Sequence, residues 1–196
     1  MCIRDRPYTI AVPEDNIERL KAKLAVADFP DELQDAGWSR GSPLADVKRL
    51  ATYWKDSYDW RTAEAKLNQL PHYKTPINVD GFGEIGIHFI WHKSPVENAI
   101  PLLWVHGWPG SFYEGTKILP LLSGGDGLSD PAYHVVIPSI PNYGFSDGVK
   151  NQGFDLVKYA ETLNKLMLKL GYTEYVTQVC LQIMLLWLEY SSGAAC

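Results

Sequence analysis

Cysteine is scarce in this chain: three in 196 residues, Cys2, Cys180 and Cys196, far apart and without ligand-like spacing. Neither a disulfide framework nor a zinc site is expected from them, and a reducing cytoplasm is the expected setting. Long apolar runs are also missing. No stretch reaches the roughly 18 apolar residues that a transmembrane helix needs. Lysine and arginine nowhere form a run, and the formal net charge is -5, so nucleic acid and anionic membrane are not expected partners. The opening "MCIRDRPYTI" sets arginines where a secretory leader needs an apolar core. No Asn-x-Ser/Thr acceptor occurs. The first six residues carry neither apolar period nor a targeting pattern, and are expected to be disordered and dispensable.

What is present is a globular composition, 46% hydrophobic, enough for a sizeable core. The first 75 or so residues read as helices and turns. "PEDNIERLKAKLA" has acidic residues in its first turn, with Ile17, Leu20 and Leu24 on one face. Ser42-Pro43 reads as a cap followed by proline at the first helical position. Leu44, Val47, Leu50, Ala51 and Trp54 then keep helical period. "DWRTAEAKLNQL" repeats the pattern before Pro71 stops it.

After that the period becomes two. "PINVDGFGEIGIHFIWH" predicts a β-hairpin turning at Asp80-Gly81, and "IPLLWV" and "AYHVVIP" predict strands buried on both faces. "SFYEGTKILPLL" predicts a helix with a Ser111/Glu114 capping box. Asp155 caps a further helix that Gly171 ends, and "TEYVTQ" predicts a last strand. This order implies an open, largely parallel α/β sheet.

Several motifs mislead. "GFGEIG" at 81–86 matches G-x-G-x-x-G, but a strand follows where dinucleotide binding needs a helix. "GFSDG" at 144–148 matches a nucleophile elbow. Ser146 nevertheless lies in a loop beyond Pro138 and Pro141, and no histidine follows it in the chain. His88 and His92 would share a strand face without a third ligand. "SGGDG" at 123–127 lacks the Lys-Ser/Thr of a phosphate loop and reads as a turn.

"HGWPG" at 106–110 is better placed. It joins a buried strand to a predicted helix, where open α/β sheets build ligand sites. Its glycines admit a close approach to the backbone, and a helix N-terminus favours developing negative charge.

"HGWPGSF" followed by "IPSIPNYGFSD" closely resembles epoxide hydrolases of the α/β-hydrolase fold, of the microsomal and fungal type. "YWKDSYDWRTAEAKLNQLPHY" and "IGIHFIWHKS" resemble that family's N-terminal segment, which wraps the catalytic domain. The resemblance runs from about Pro7 to Gln178. It implies an N-terminal segment at 7–100, a partial α/β-hydrolase core at 101–178 and a non-family tail at 179–196. It also implies an oxyanion hole to which the Trp108 N–H contributes, a cis Trp108–Pro109 bond, and His106 and Gly107 shaping the turn. The family reaction adds water to an epoxide through an aspartyl ester and needs no metal or organic cofactor.

In that family the nucleophile stands in an elbow just after the strand matching "EYVTQ". Here "VCLQIMLLWLEYSSGAAC" follows, with no aspartate and no histidine. The nucleophile, lid tyrosines and catalytic histidine are all absent, so the chain as written is expected to be inactive. Its tail is expected to come from a retained intron or a frame error. The rival expectation is a non-catalytic binding or regulatory form. The exposed sheet edge is then the face for a second copy or a chaperone.

Overall fold

The computed structural model describes residues 6–124 and 130–179. Expectations about the first five residues, most of "SGGDG" and the tail after Val179 fall outside that range. The described chain divides into two compact units, one of residues 10–69 and one holding the sheet.

The 10–69 unit is helical. Helix α1 spans Glu14–Ala25, α2 spans Leu44–Asp56 and α3 spans Trp60–Leu67, with a 3-10 turn at Gly37–Arg40. Acidic Glu14 and Asp15 open α1, as its sequence predicts, and the Asp59 side chain caps α3 by accepting from Arg61 N–H. Ser42 is not the cap of α2. Pro43 holds the N-cap position in an extended conformation, and the Glu32 carboxylate accepts the Leu44 N–H at 2.9 Å. A distant carboxylate thus satisfies one of the amides that every helix start leaves unpaired.

Burial in this unit centres on Glu64. Its carboxylate accepts from Val12 N–H at 2.7 Å, Trp60 Nε1 at 3.1 Å and Arg61 at 2.7 Å. Those partners, the Val12 amide foremost, hold Glu64 below the usual carboxylate range although burial opposes them. The apolar face of α2 is less covered than its period suggests. Leu50 and Trp54 stay about half exposed and, with Ile17, Leu20, Tyr53 and Trp60, line a groove of about 600 Å³.

The second unit is built on a six-stranded sheet. Its strands are β1 (Arg6–Pro7), β2 (His72–Val79), β3 (Gly83–His92), β4 (Ile100–Val105), β5 (Tyr133–Pro138) and β6 (Val176–Val179). They lie in the order β1-β2-β3-β5-β4-β6. The β2–β3 hairpin forms as predicted, with Gly81 at φ 83° and Gly83 at φ 73° in its turn. The sheet is mixed, not largely parallel: only β4 pairs in parallel, with β5 and with β6, while β1, β2, β3 and β5 join antiparallel. A tight hairpin makes its own two strands antiparallel, and β2 and β3 are two of the six. Arg6, expected in a disordered leader, instead pairs with Lys74 in a strand that the sequence did not announce, and Val179, expected in the non-family tail, pairs with Val105.

One face of the sheet packs against α5 (Leu156–Lys169). Leu163, Leu166 and Met167 of that helix share a core with Ile77, Val79, Ile87, Phe89, Leu103 and Val136. Asp155 caps α5 by accepting the Lys158 N–H, and Gly171, at φ 89°, follows its C-cap. The helix is also pinned to the hairpin by charge. Glu161 accepts from the Asp80 N–H at 2.8 Å, from Lys158 at 2.7 Å and from Lys165 at 2.7 Å. Burial would raise the Glu161 pKa, but these three donors outweigh it and hold it at about 2.

The opposite face is covered after β4. The single helix predicted over 111–122 is two short pieces, a 3-10 turn at Phe112–Gly115 and α4 at Leu119–Ser123. Pro120 has no N–H to continue a helix through 116–118, and it sits where proline is tolerated, at the start of α4. Gly115 comes close to the sheet; a Cβ there would lie 2.8 Å from Ile137 and 2.9 Å from Trp104.

Candidate functional site

The turn at 106–110 leaves the C-terminal end of β4, the central parallel strand, beside the end of β5. The Trp108–Pro109 peptide bond is cis. The turn closes on one carbonyl oxygen: Gly107 O accepts from the Gly110 N–H at 2.9 Å and from His106 Nδ1 at 2.9 Å. Gly110 has no space for a side chain, since a Cβ would strike the Glu114 carboxylate and come within 2.9 Å of Gly107 O. Ser111 Oγ accepts from the Tyr113 N–H at 3.3 Å. The reciprocal half of a capping box, a Glu114 side-chain bond to the Ser111 amide, does not form among the described residues.

His106 is fully buried, and its Nε2 accepts the Ile140 N–H at 3.3 Å from the loop after β5. Burial lowers its pKa, more than Gly107 O and the Glu114 charge raise it. Trp108 is the reverse, 71% exposed, and among the described residues its N–H donates no hydrogen bond. The Trp108 amide at the mouth of the turn is thus unspent, while the Gly110 N–H is engaged inside it. Only a four-residue 3-10 turn follows, so a helix macrodipole adds little; that part of the sequence argument does not hold.

The loop 139–147 lies along β3 and completes the wall behind the turn. Ser139 N–H donates to His88 O at 2.8 Å, His88 N–H donates to Ser146 Oγ at 2.9 Å, and Asp147 N–H donates to Gly86 O at 2.8 Å. Ser146 Oγ itself donates to Ser139 O at 2.6 Å. Both capacities of that hydroxyl are consumed, and it serves as loop structure, not as a nucleophile. Asp147 is committed as well, to Lys74 at 2.7 Å and the Gly86 N–H at 3.0 Å.

A buried pair behind this wall escaped the sequence reading. His88 Nε2 lies 2.9 Å from His72 Nδ1, and His88 Nδ1 lies 2.9 Å from Ser139 Oγ. Phe112 sets its ring edge-on to both imidazoles. Burial first, then His72 and Lys74, lower the His88 pKa to about 3, so this ring is neutral. The signal was available: His72 pairs with Ile90 and Lys74 with His88, which makes the two histidines diagonal neighbours on one face. His88 has no nitrogen left for a metal. Among the described residues no three His, Cys, Asp or Glu side chains gather as a metal site, and no helix is long and apolar enough to cross a membrane.

Comparison with known proteins agrees with this architecture. The family model "Epoxide hydrolase N terminus" matches residues 5–115, and "alpha/beta hydrolase fold" matches 100–178. A putative epoxide hydrolase of Stigmatella aurantiaca is 42% identical over 175 residues, covering 88% of this chain and 39% of the relative. Epoxide hydrolase 1 of Sus scrofa is 38% identical, over 88% of this chain and 38% of its own length. Among solved structures, an enantioselective mutant of the Aspergillus niger epoxide hydrolase superposes with a TM-score of 0.83 at 28% identity, covering 99% of this chain and 50% of that one. Juvenile hormone epoxide hydrolase from the silkworm Bombyx mori gives a TM-score of 0.80 at 30% identity, over 93% of this chain and 43% of its own. The chain thus spans about two fifths of the length of these curated relatives. With the N-terminal model matched across more than half of its residues and the hydrolase core model across most of the remainder, the chain belongs to the epoxide hydrolase family and corresponds to its N-terminal portion.

Proposed function

We propose that residues 106–109 form the anion-stabilising side of an epoxide-hydrolysing site, with the Trp108 N–H as donor. The observation that carries this reading is the unspent Trp108 amide, held at the end of β4 by a turn that closes on Gly107 O and that the His106 ring ties to the Ile140 N–H. In the reaction implied by the family, a carboxylate oxygen of an aspartate attacks an epoxide carbon. The carbon–oxygen bond of the ring breaks, and lid tyrosines give a proton to the departing oxygen. Water, activated by a histidine with an acidic partner, then adds to the ester carbonyl. The tetrahedral oxyanion so formed is the charge that Trp108 N–H would meet, together with the amide following the nucleophile. Collapse releases a vicinal diol and restores the aspartate.

The 196-residue chain is, on this reading, inactive alone. Asp147 is bound to Lys74 and Gly86, Asp155 caps α5, and neither stands at the turn. The purified chain should give no diol from an aryl epoxide above background. The positive test joins residues 1–178 to the remaining part of the Stigmatella aurantiaca relative and assays the same substrate. Turnover by the chimaera supports the reading; a folded chimaera without turnover refutes it.

A further inference from the structure

His106 is held by two contacts of opposite polarity. A carbonyl oxygen only accepts, so Gly107 O at 2.9 Å requires the ring proton on Nδ1. A backbone amide only donates, so the Ile140 N–H at 3.3 Å requires a bare Nε2. One ring state satisfies both, the neutral Nδ1–H tautomer. A proton on Nε2 would oppose two N–H groups in a fully buried place.

The neighbouring residue is held by different means. Ser139 reaches His88 through its N–H and through its hydroxyl, and the N–H contact to His88 O does not change with protonation. Ile140 has only the His106 ring among the described residues as partner for its N–H. We propose that His106 is a positioning residue that acts as a proton-sensitive latch. When neutral it ties the turn after β4 to the loop after β5; when protonated it releases Ile140 and lets the amides of the turn shift. The charged and titratable groups facing it are Glu114, which favours protonation, and the Tyr143 ring, edge-on at 5.5 Å. Burial outweighs Glu114, so the latch opens below the ordinary histidine range. The consequence for hydrolysis rests on the function proposed above, while the latch itself does not.

NMR of the full chain labelled with nitrogen-15 tests it. The His106 ring should show the Nδ1–H tautomer. On acidification the amide resonances of Gly107, Trp108, Gly110 and Ile140 should move together, with the midpoint of the His106 ring. His106→Gln keeps an acceptor near the Nε2 position but cannot titrate, and its Ile140 and Trp108 resonances should stay in place over that range. An Nε2–H tautomer in the unsubstituted chain overturns the proposal, as does the same shift at the same midpoint in the glutamine variant. If the variant does not fold, the tautomer and the shared midpoint still decide. Neither readout needs an epoxide, so an inactive chimaera would count against the hydrolase reading and leave the latch standing.

Discussion

His72 and His88, from paired strands, share a hydrogen bond of 2.9 Å in the interior, with Ser139 on the far nitrogen of His88. The buried His88 makes stability depend on pH. The folded pKa of His88 is about 3 against an ordinary 6.5. Above the ordinary value neither state binds a proton there, and the fold keeps its full stability. As pH falls below it the unfolded chain takes up a proton that the folded chain refuses, and stability drops until the folded pKa is reached. Between about pH 6.5 and 4.5, before most carboxylates titrate, urea unfolding should lose up to about 1.4 kcal/mol per pH unit from this residue. His106, depressed for the same reason, adds to the loss. A flat profile over that interval would count against a neutral, buried His88.

Ser146→Ala separates loop structure from catalysis. The substitution removes the acceptor of the His88 N–H and the donor to Ser139 O. A cost of about 1–3 kcal/mol is expected, measured by chemical unfolding. The unsubstituted chain should also take up no serine-directed phosphonate label at this position. Stoichiometric labelling of Ser146 would contradict its place in the loop.

Glu161→Ala should loosen α5 from the hairpin. The carboxylate is buried and serves the Asp80 N–H, Lys158 and Lys165. Both lysines are partly exposed and can return to water, so the expected loss is about 2 kcal/mol, less than for a sealed ion pair. Its folded pKa of about 2 lies below the ordinary 4.5. The contribution is therefore complete above pH 4.5 and is lost as pH falls toward 2. The difference in unfolding free energy between variant and parent should shrink over that interval.

Gly144→Ala tests the wall behind the turn. Gly144 has φ 53°, and a Cβ there would lie 2.5 Å from Ser139 Oγ, the partner of His88. Backbone strain and the displaced hydroxyl together should cost about 1–3 kcal/mol. Amide exchange should quicken at Ser139 and His88, whereas Gly153→Ala, at a positive φ in open space, should leave those two amides unchanged.

Much of this molecule is legible in the sequence because it is set by neighbours a few residues apart. Helical period marks α1, α2, α3 and α5; alternation and Asp80-Gly81 mark the hairpin; Asp155 and Gly171 mark the ends of α5. The His-Gly-Trp-Pro turn after an apolar strand is local in the same sense, and its cis bond agrees with what the family resemblance implied. Other features were decided only when distant segments met. Ile140 reaches His106 across 34 residues, His88 reaches Ser139 across 51, and Ser146 across 58. A periodic pattern states which face is buried, not which polar groups will face each other there. That choice belongs to strand register and loop path: the sequence already set Ser146 aside as a nucleophile, but only the fold gave its hydroxyl the partners His88 N–H and Ser139 O. The same holds for the break before α4. Period alone allows one helix from Ser111 to Leu122, but Pro120 and the close approach of Gly115 to Trp104 and Ile137 divide it. Local chemistry proposed the elements, and competition among buried contacts selected their partners.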